Sequence, residues 1–326
     1  MQTNSRYPII NIGSKNELAK RLSSKNFSKD KSLELINNVL ANFDKYWYDS
    51  KKSDPEKQKF FRSSVGTPLH KLLKLINAKI LKVYDKSLPE FIFGGVSDRN
   101  HILAARELIG NKNDRTLLKI DVSRFFEQIT MQRIVRFFHQ KCNCSLRASY
   151  LLASLCCVPG GQKDSSANMQ KYLARGFPTS SRLAVWTNLD TFLRLKWETN
   201  KRLKNHDPKI VIFVDDIGVS ASRVDIKTIN CLKESLIGLL ESYDINQPLP
   251  VNHKKTEIIA FKNGAEHLGM RLGKNKISIG RKTISNKSKL NNSIKTSDGL
   301  GKSLLLKKKA AYYQYLKQIE QVNDMA

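Results

Sequence analysis

The sequence predicts an α+β fold, and three observations point to it. Several segments place apolar residues at helical spacing. Between them lie short, almost wholly apolar runs of strand length, two of which meet aspartates at their ends. The chain has 326 residues, 40% of them hydrophobic, enough for a sizeable core in about one to three subdomains.

Residues 1–60 are polar and basic, and Leu33, Ile36, Val39, Leu40 and Phe43 mark one amphipathic helix. Asp49 to Pro55 reads as a loop. Leu69, Leu72, Leu73, Ile76 and Ile80 predict a helix over 69–84, and a glycine turn at Gly94-Gly95 precedes another over 101–109. Thr116 to Val122 is a strand, and 125–142 turns helical. A loop is expected over 160–166 and a long helix over 182–203. Ile210 to Val214 is a strand, Asp215-Asp216 interrupt it, and Ile217 to Ala221 resumes the pattern: a hairpin with two acids at its tip. A helix over 226–243 and a strand within 253–261 follow. Short strands are expected through Gly280, then loops and one helix over 304–322.

Lys and Arg number 57 against 29 Asp and Glu, a net charge of +28 spread along the chain. A polyanion is the expected partner, nucleic acid before an anionic membrane, and a long basic groove suits the spread better than a basic tail. No run is long and apolar enough to span a membrane, and Met1 to Ile12 lacks the pattern of a secretion signal. Five cysteines, an odd number, argue against a disulfide framework and for a reducing cytoplasm. Cys142, Cys144, Cys156 and Cys157 lack zinc-site spacing and read as buried helical thiols.

Carboxylates inside apolar strands are costly unless paired or bound to a cation. An isolated Asp-Asp is ordinarily just a turn. If the strand ending in Asp121 neighbours the Asp215-Asp216 hairpin, however, three carboxylates converge at one sheet edge. Such oxygen donors suit Mg²⁺, with Mn²⁺ possible, and two ions can stabilise both the attacking and leaving oxygens of a phosphoryl transfer.

The flanking residues resemble the reverse transcriptase family, in order and approximate spacing. Phe213-Val214-Asp215-Asp216 looks like the family's aromatic-x-Asp-Asp hairpin, and Ile120 to Phe126 like the strand carrying its first metal-binding Asp. Gly176 to Ser181 resembles the loop that positions template and nucleotide. Asn252 to Thr256, His267 to Met270 and Phe93 to Arg99 resemble the following palm motif, the primer-grip hairpin and a fingers motif. The resemblance implies a right-hand polymerase fold. Residues 1–60 would be an N-terminal helical extension, 61–115 fingers, 116–270 a palm with finger insertions, and 271–326 a short basic thumb.

It also implies roles by matching position. Asp121, Asp215 and Asp216 would be catalytic metal ligands. Phe126 would be a steric gate favouring dNTPs over rNTPs, with core packing as the plain alternative. Arg99 would clamp the triphosphate, with Arg106 or Arg62 as substitutes, and Lys255 would reach the leaving pyrophosphate. Arg124, Arg175, Gly176 and Pro178 would contact substrate; Arg175 stands where the family usually has Gln, and Arg124 where many members carry an acid. Lys307, Lys308, Lys309 and Tyr312 offer cations and a ring to nucleic acid on one helix, or a tyrosine face to pack. A tyrosine could also prime synthesis.

After so short a thumb, neither an RNase H nor an endonuclease domain is expected, which points to compact bacterial enzymes. Retron reverse transcriptases carry Asn-Ala-x-x-His and Val-Thr-Gly where this chain has Ala104 to Leu108 and His267-Leu268-Gly269. The resemblance therefore leans to the defence-associated "unknown group" enzymes, with retrons second. It implies a cytoplasmic, RNA-binding enzyme of antiviral defence, working with dNTPs and nascent DNA on an RNA template, a cognate noncoding RNA. An accessory effector protein or homo-oligomer would be compatible. A binding protein on a polymerase fold, an RNA-dependent RNA polymerase and a basic structural protein are the rivals.

Overall fold

A computed structural model describes residues 7–110, 112, 114–165 and 170–324. Helices mixed with antiparallel sheets give the expected α+β class. The chain forms two compact units.

The first unit holds residues up to Ser97, Ser123–Thr191 and Ser242–Leu249. Its helices Lys15–Leu22, Lys29–Ala41 and Pro68–Ile76 start at Ser14, Ser28 and Thr67, whose hydroxyls accept first-turn N–H groups. Leu69, Leu72, Leu73, Ile76 and Ile80 are all buried, as their spacing predicts. The helix expected over 69–84 keeps α geometry only to Ile76, then widens at Asn77–Leu81 and tightens at Lys82–Ser87. This change of pitch brings Asn77 and Asp85 to one guanidinium: Arg182 donates to Asn77 Oδ1 at 2.9 Å and to Asp85 at 2.9 and 2.7 Å.

Other helical expectations break where polar side chains compete for the backbone. The stretch 182–203 divides at Asn188, whose Nδ2 donates to the Ala184 carbonyl at 2.7 Å. The stretch 125–142 is three short turns, with Thr130 capping the middle one. Cys156 ends the helix Leu146–Cys156, but Cys157 opens a strand, Cys157–Pro159, paired antiparallel with Lys171–Leu173. A short apolar run cannot be assigned by periodicity alone, which is why that thiol read as helical. Cys142, which caps the turn ending at Lys141, and Cys144 beyond it are not helical either; all four of these cysteines are buried, and burial pushes the Cys156 thiol up to about 12. The loop expected over 160–166 is present through residue 165; Ser166 lies outside the described residues.

The second unit holds Asp98–Val122, Phe192–Glu241 and Pro250 onward. Its centre is a four-stranded antiparallel sheet in the order Lys209–Phe213, Asp216–Ser222, Arg115–Asp121, Glu257–Ala260. The central strand buries Leu117, Leu118 and Ile120. Gly218 lets His267 close on the sheet, since a Cβ there would lie 2.8 Å from the imidazole Nε2. Burial drives that imidazole down to about 3, so it stays neutral. Arg115, also buried, donates to Asp207 Oδ2 at 2.6 Å and to the Ser220 hydroxyl and carbonyl.

Short strands are present before Gly280, as expected, and Glu266–His267, Met270–Leu272 and Ile277–Ile279 join in one three-stranded sheet. The C-terminal part corrects the expectation of loops and one helix: two helices, Arg281–Thr296 and Gly299–Asp324, pair there. The first buries none of its residues, so it left no apolar stripe to read.

Candidate active site

In the second unit, strand register decides which acids meet. Asp121 pairs directly with Asp216, and Asp216 with Phe213. Val214 and Asp215 therefore form the two-residue hairpin loop, one position earlier than an Asp-Asp tip. Val214 has φ +62°, a left-handed conformation costing a β-branched residue on the order of 1–2 kcal/mol. The main-chain N–H of Asn252 donates to the Asp121 carbonyl at 2.8 Å, and Val122 bridges to Val251. Together these bonds fix the strand end from which the Asp121 side chain emerges.

The electrostatics follow from that crowding. Burial, and after it the Asp215 charge, push the Asp216 carboxyl up to about 6; Lys119 and Lys255 oppose this while Asp121 adds to it. Lys255 Nζ lies 3.6 Å from Asp121 Oδ2. Partly desolvated carboxylates with incompletely cancelled repulsion are the donor set a hard divalent cation satisfies. Among the described residues, no three acidic, His or Cys side chains already close around one point.

Arg99 belongs to the same unit, immediately before Asn100, whose side chain caps the helix His101–Glu107. That helix supplies a residue the sequence reading missed. The His101 ring stacks on Tyr315 (centroids 5.6 Å apart), bonds its hydroxyl at 3.0 Å, and meets the Phe213 ring edge-on at 6.5 Å. The C-terminal helix thus touches the base of the aspartate hairpin through two rings. Sequence gives no signal for a contact between residues so far apart in the chain. On the same helix Lys307 and Lys308 are exposed and Lys309 is half-buried. Tyr312 lies beneath Lys287 of the neighbouring helix, 5.3 Å from ring centroid to Nζ.

The first unit gathers the remaining predicted residues. Arg175 lays its guanidinium 5.0 Å over both the Phe126 and Phe61 rings. Phe126 is buried. Gly176 has φ +104°, and a Cβ there would come within 2.5 Å of the Arg62 carbonyl, so only glycine fits. Pro178 lies in a turn held by the Ser180 hydroxyl, which donates to the Ala174 carbonyl at 2.6 Å. Arg124 also adopts positive φ (+48°) and bonds Gln58 at 3.0 Å.

Arg62, expected alongside Arg106 as a substitute for Arg99, is committed elsewhere. Its guanidinium is buried between the Trp47 and Phe60 rings and binds Asp49 and the carbonyls of Pro159 and Gly161. Burial lowers it to about 10. Glu127 is a second missed residue. Burial raises its carboxyl, Arg175 opposes that, and its Oε2 has no hydrogen-bond partner among the described residues.

Comparison with known proteins bears on the same stretch. The retron Ec48 reverse transcriptase of Escherichia coli is 25% identical over 200 residues, which cover 58% of this chain and 44% of that protein. The chain thus spans under half the length of this relative, a retron enzyme, the branch its motifs placed second. Residues 51–272, a stretch containing Asp121, Phe126, Gly176, Asp215, Asp216 and Lys255, match the family described as reverse transcriptase (RNA-dependent DNA polymerase). With more than half of its length so matched, the chain belongs to the reverse transcriptase family.

Proposed function

We propose that this protein is an RNA-templated DNA polymerase that joins dNTPs at a site built on Asp121, Asp215 and Asp216. The observation that carries the proposal is the pairing of Asp121 with Asp216 at the end of an apolar sheet, beside Asp215 in a two-residue loop. In the reaction a primer 3′-oxygen attacks the α-phosphorus of a dNTP, a phosphodiester bond forms, and pyrophosphate leaves. The three carboxylates would hold divalent cations, Mg²⁺ by their oxygen chemistry. Bound there, such ions neutralise charge on the attacking and leaving oxygens. Lys255 is close enough to Asp121 to meet charge on the departing pyrophosphate. Phe126, fixed beneath Arg175, would exclude a ribose 2′-hydroxyl, and Gly176 and Pro178 would seat the template base. Arg99 and Arg124 would contact phosphates.

In this reading residues 61–115 act as fingers, 116–270 as palm and 271–326 as thumb, with Lys307, Lys308, Lys309 and Tyr312 on nucleic acid. The template would be a cognate noncoding RNA and the setting anti-phage defence in the cytoplasm. No helix of the described residues is long and apolar enough to cross a membrane. The similarity to a retron enzyme favours a second reading, synthesis of DNA joined to its RNA.

The test is to purify the protein with its native RNA and supply Mg²⁺ with dNTPs or rNTPs. DNA product is expected, lost in Asp215→Ala/Asp216→Ala. Incorporation of rNTPs alone, or product undiminished in the double variant, would refute the proposal. Ribonuclease treatment that leaves a residual nucleotide on the DNA would favour the retron-like reading.

A further inference from the structure

The catalytic sheet has a second, oppositely charged end. The antiparallel register that sets Asp121 beside Asp216 sets Arg115 beside Ser222 and Thr116 beside Ala260. Six residue steps separate Arg115 from Asp121, about 20 Å along an extended strand. At the Arg115 end the chain leaves one strand through Arg223 and another through Phe261 and Lys262. There the second unit holds a cavity of about 620 Å³, lined among others by Lys112, Arg223, Lys262, Lys274, Thr116 and Phe261.

The charge of this cavity is unbalanced. Lys112, Arg223, Lys262 and Lys274 are all exposed, and none makes an ion pair among the described residues. Arg115, a further cation in the wall, is consumed by Asp207 and Ser220. Asp114 is the lone acid of the lining, and its carbonyl accepts the Arg223 N–H at 3.0 Å. Arg223 (φ +51°) and Asp114 (φ +54°) both hold left-handed backbone, so the turn presenting Arg223 is maintained against a local cost.

Cations from four chain segments around one concavity repel one another, and anionic groups entering between them relieve that repulsion. Arg offers a planar fork to phosphate oxygens and Lys a point charge. Phe261, Val224 and Ala260 add an apolar wall against which a sugar or base can rest. Seven of the ten lining residues are polar or charged, unlike the mostly apolar pocket that holds a single small ligand. Spaced phosphates on a continuous strand match it better.

We propose that this cavity is an RNA-backbone site, distinct from the carboxylate end of the sheet, that anchors RNA outside the stretch being copied. The proposal concerns binding alone, so it can fail while the polymerase reading stands, and the reverse.

The test uses the full chain carrying Arg223→Gln, Lys262→Gln and Lys274→Gln. A control removes equal charge from exposed positions of the first unit, Lys20→Gln, Lys25→Gln and Lys29→Gln. The probe is a fluorescein-labelled RNA hairpin with a single-stranded tail, titrated by anisotropy across a salt series. Three lost phosphate contacts should flatten the slope of log affinity against log salt by about 2 and weaken binding roughly 10–50-fold near physiological salt. The control triple should change affinity less than about threefold, and dNTP incorporation on a short annealed primer–template should stay at the unsubstituted rate. Equal losses in both triples would make the effect one of global charge and overturn the proposal. So would unchanged RNA affinity, whether or not binding of tripolyphosphate or an acidic peptide is lost; such a loss would reassign the cavity to a small anion or a protein.

Discussion

Replacing Asp216 by Asn should separate the stability of the metal-free protein from its chemistry. The carboxyl titrates at about 6 in the folded chain against a reference of 3.8. The folded state therefore holds its proton more tightly than the unfolded state does. The stability this confers is full below pH 3.8 and is lost as pH rises through about 6. At about 1.36 kcal/mol per pKa unit, the metal-free protein above pH 7 carries a penalty of up to about 3 kcal/mol. Because Asp216 is half-buried, solvent screening brings the expected figure to about 1–2 kcal/mol. Asn keeps the shape without the charge. In EDTA at pH 7.5, Asp216→Asn should melt higher by about 2–6 °C, and at pH 3.5 the two proteins should melt together. Adding Mg²⁺ should raise the melting temperature of the unsubstituted protein more than that of the variant, while extension by the variant falls to background. Differential scanning calorimetry across pH checks this. An Asn variant that melts lower than the parent in EDTA at pH 7.5, or equally higher at both pH values, would refute the account of carboxylate repulsion.

Three further outcomes follow from other contacts. Gly176→Ala sets a Cβ within 2.5 Å of the Arg62 carbonyl at φ +104°; it should cost at least about 2 kcal/mol in urea unfolding, and a cost under about 0.5 would contradict the geometry. Arg62→Lys cannot serve Asp49 and two carbonyls at once. A loss of about 2–4 kcal/mol is expected by the same measurement. Phe126→Val should narrow the preference for dNTPs over rNTPs in steady-state kcat/KM; an unchanged ratio would assign Phe126 to core packing beneath Arg175.

The parts of the fold legible in the sequence were those where side-chain pattern and backbone geometry agree. Leu69, Leu72, Leu73 and Ile76 form a buried helical face because burial imposes that period. The Ile210–Ala221 hairpin was readable because apolar strands flank charged residues. What failed has local causes. Asn188 and Thr130 break helices by hydrogen bonding to backbone, which leaves the apolar period intact on both sides. Cys157 lies in a run too short to declare its period. Val214 at positive φ shifts the hairpin loop by one residue against its own propensity, which only the pairing of Phe213 with Asp216 reveals. Asp121, Asp215, Asp216 and Lys255 were readable as candidates because carboxylates beside apolar strands demand an explanation. His101 and Glu127 were not: one owes its importance to a distant ring, the other to burial created by neighbours brought in from elsewhere in the chain.

The two units are not successive in sequence. The chain changes unit after Ser97, Val122, Thr191, Glu241 and Leu249. Neither unit therefore corresponds to a continuous piece of the gene. A truncation that keeps one unit whole necessarily cuts the other, so fragments designed to isolate the aspartate hairpin should not fold alone. Ribosomal synthesis cannot complete either unit until residues beyond 240 have emerged, which makes folding of the two units late and interdependent. The same interleaving limits exchange by recombination: a crossover inside 98–249 divides both units at once, and one before or after that stretch still divides one of them.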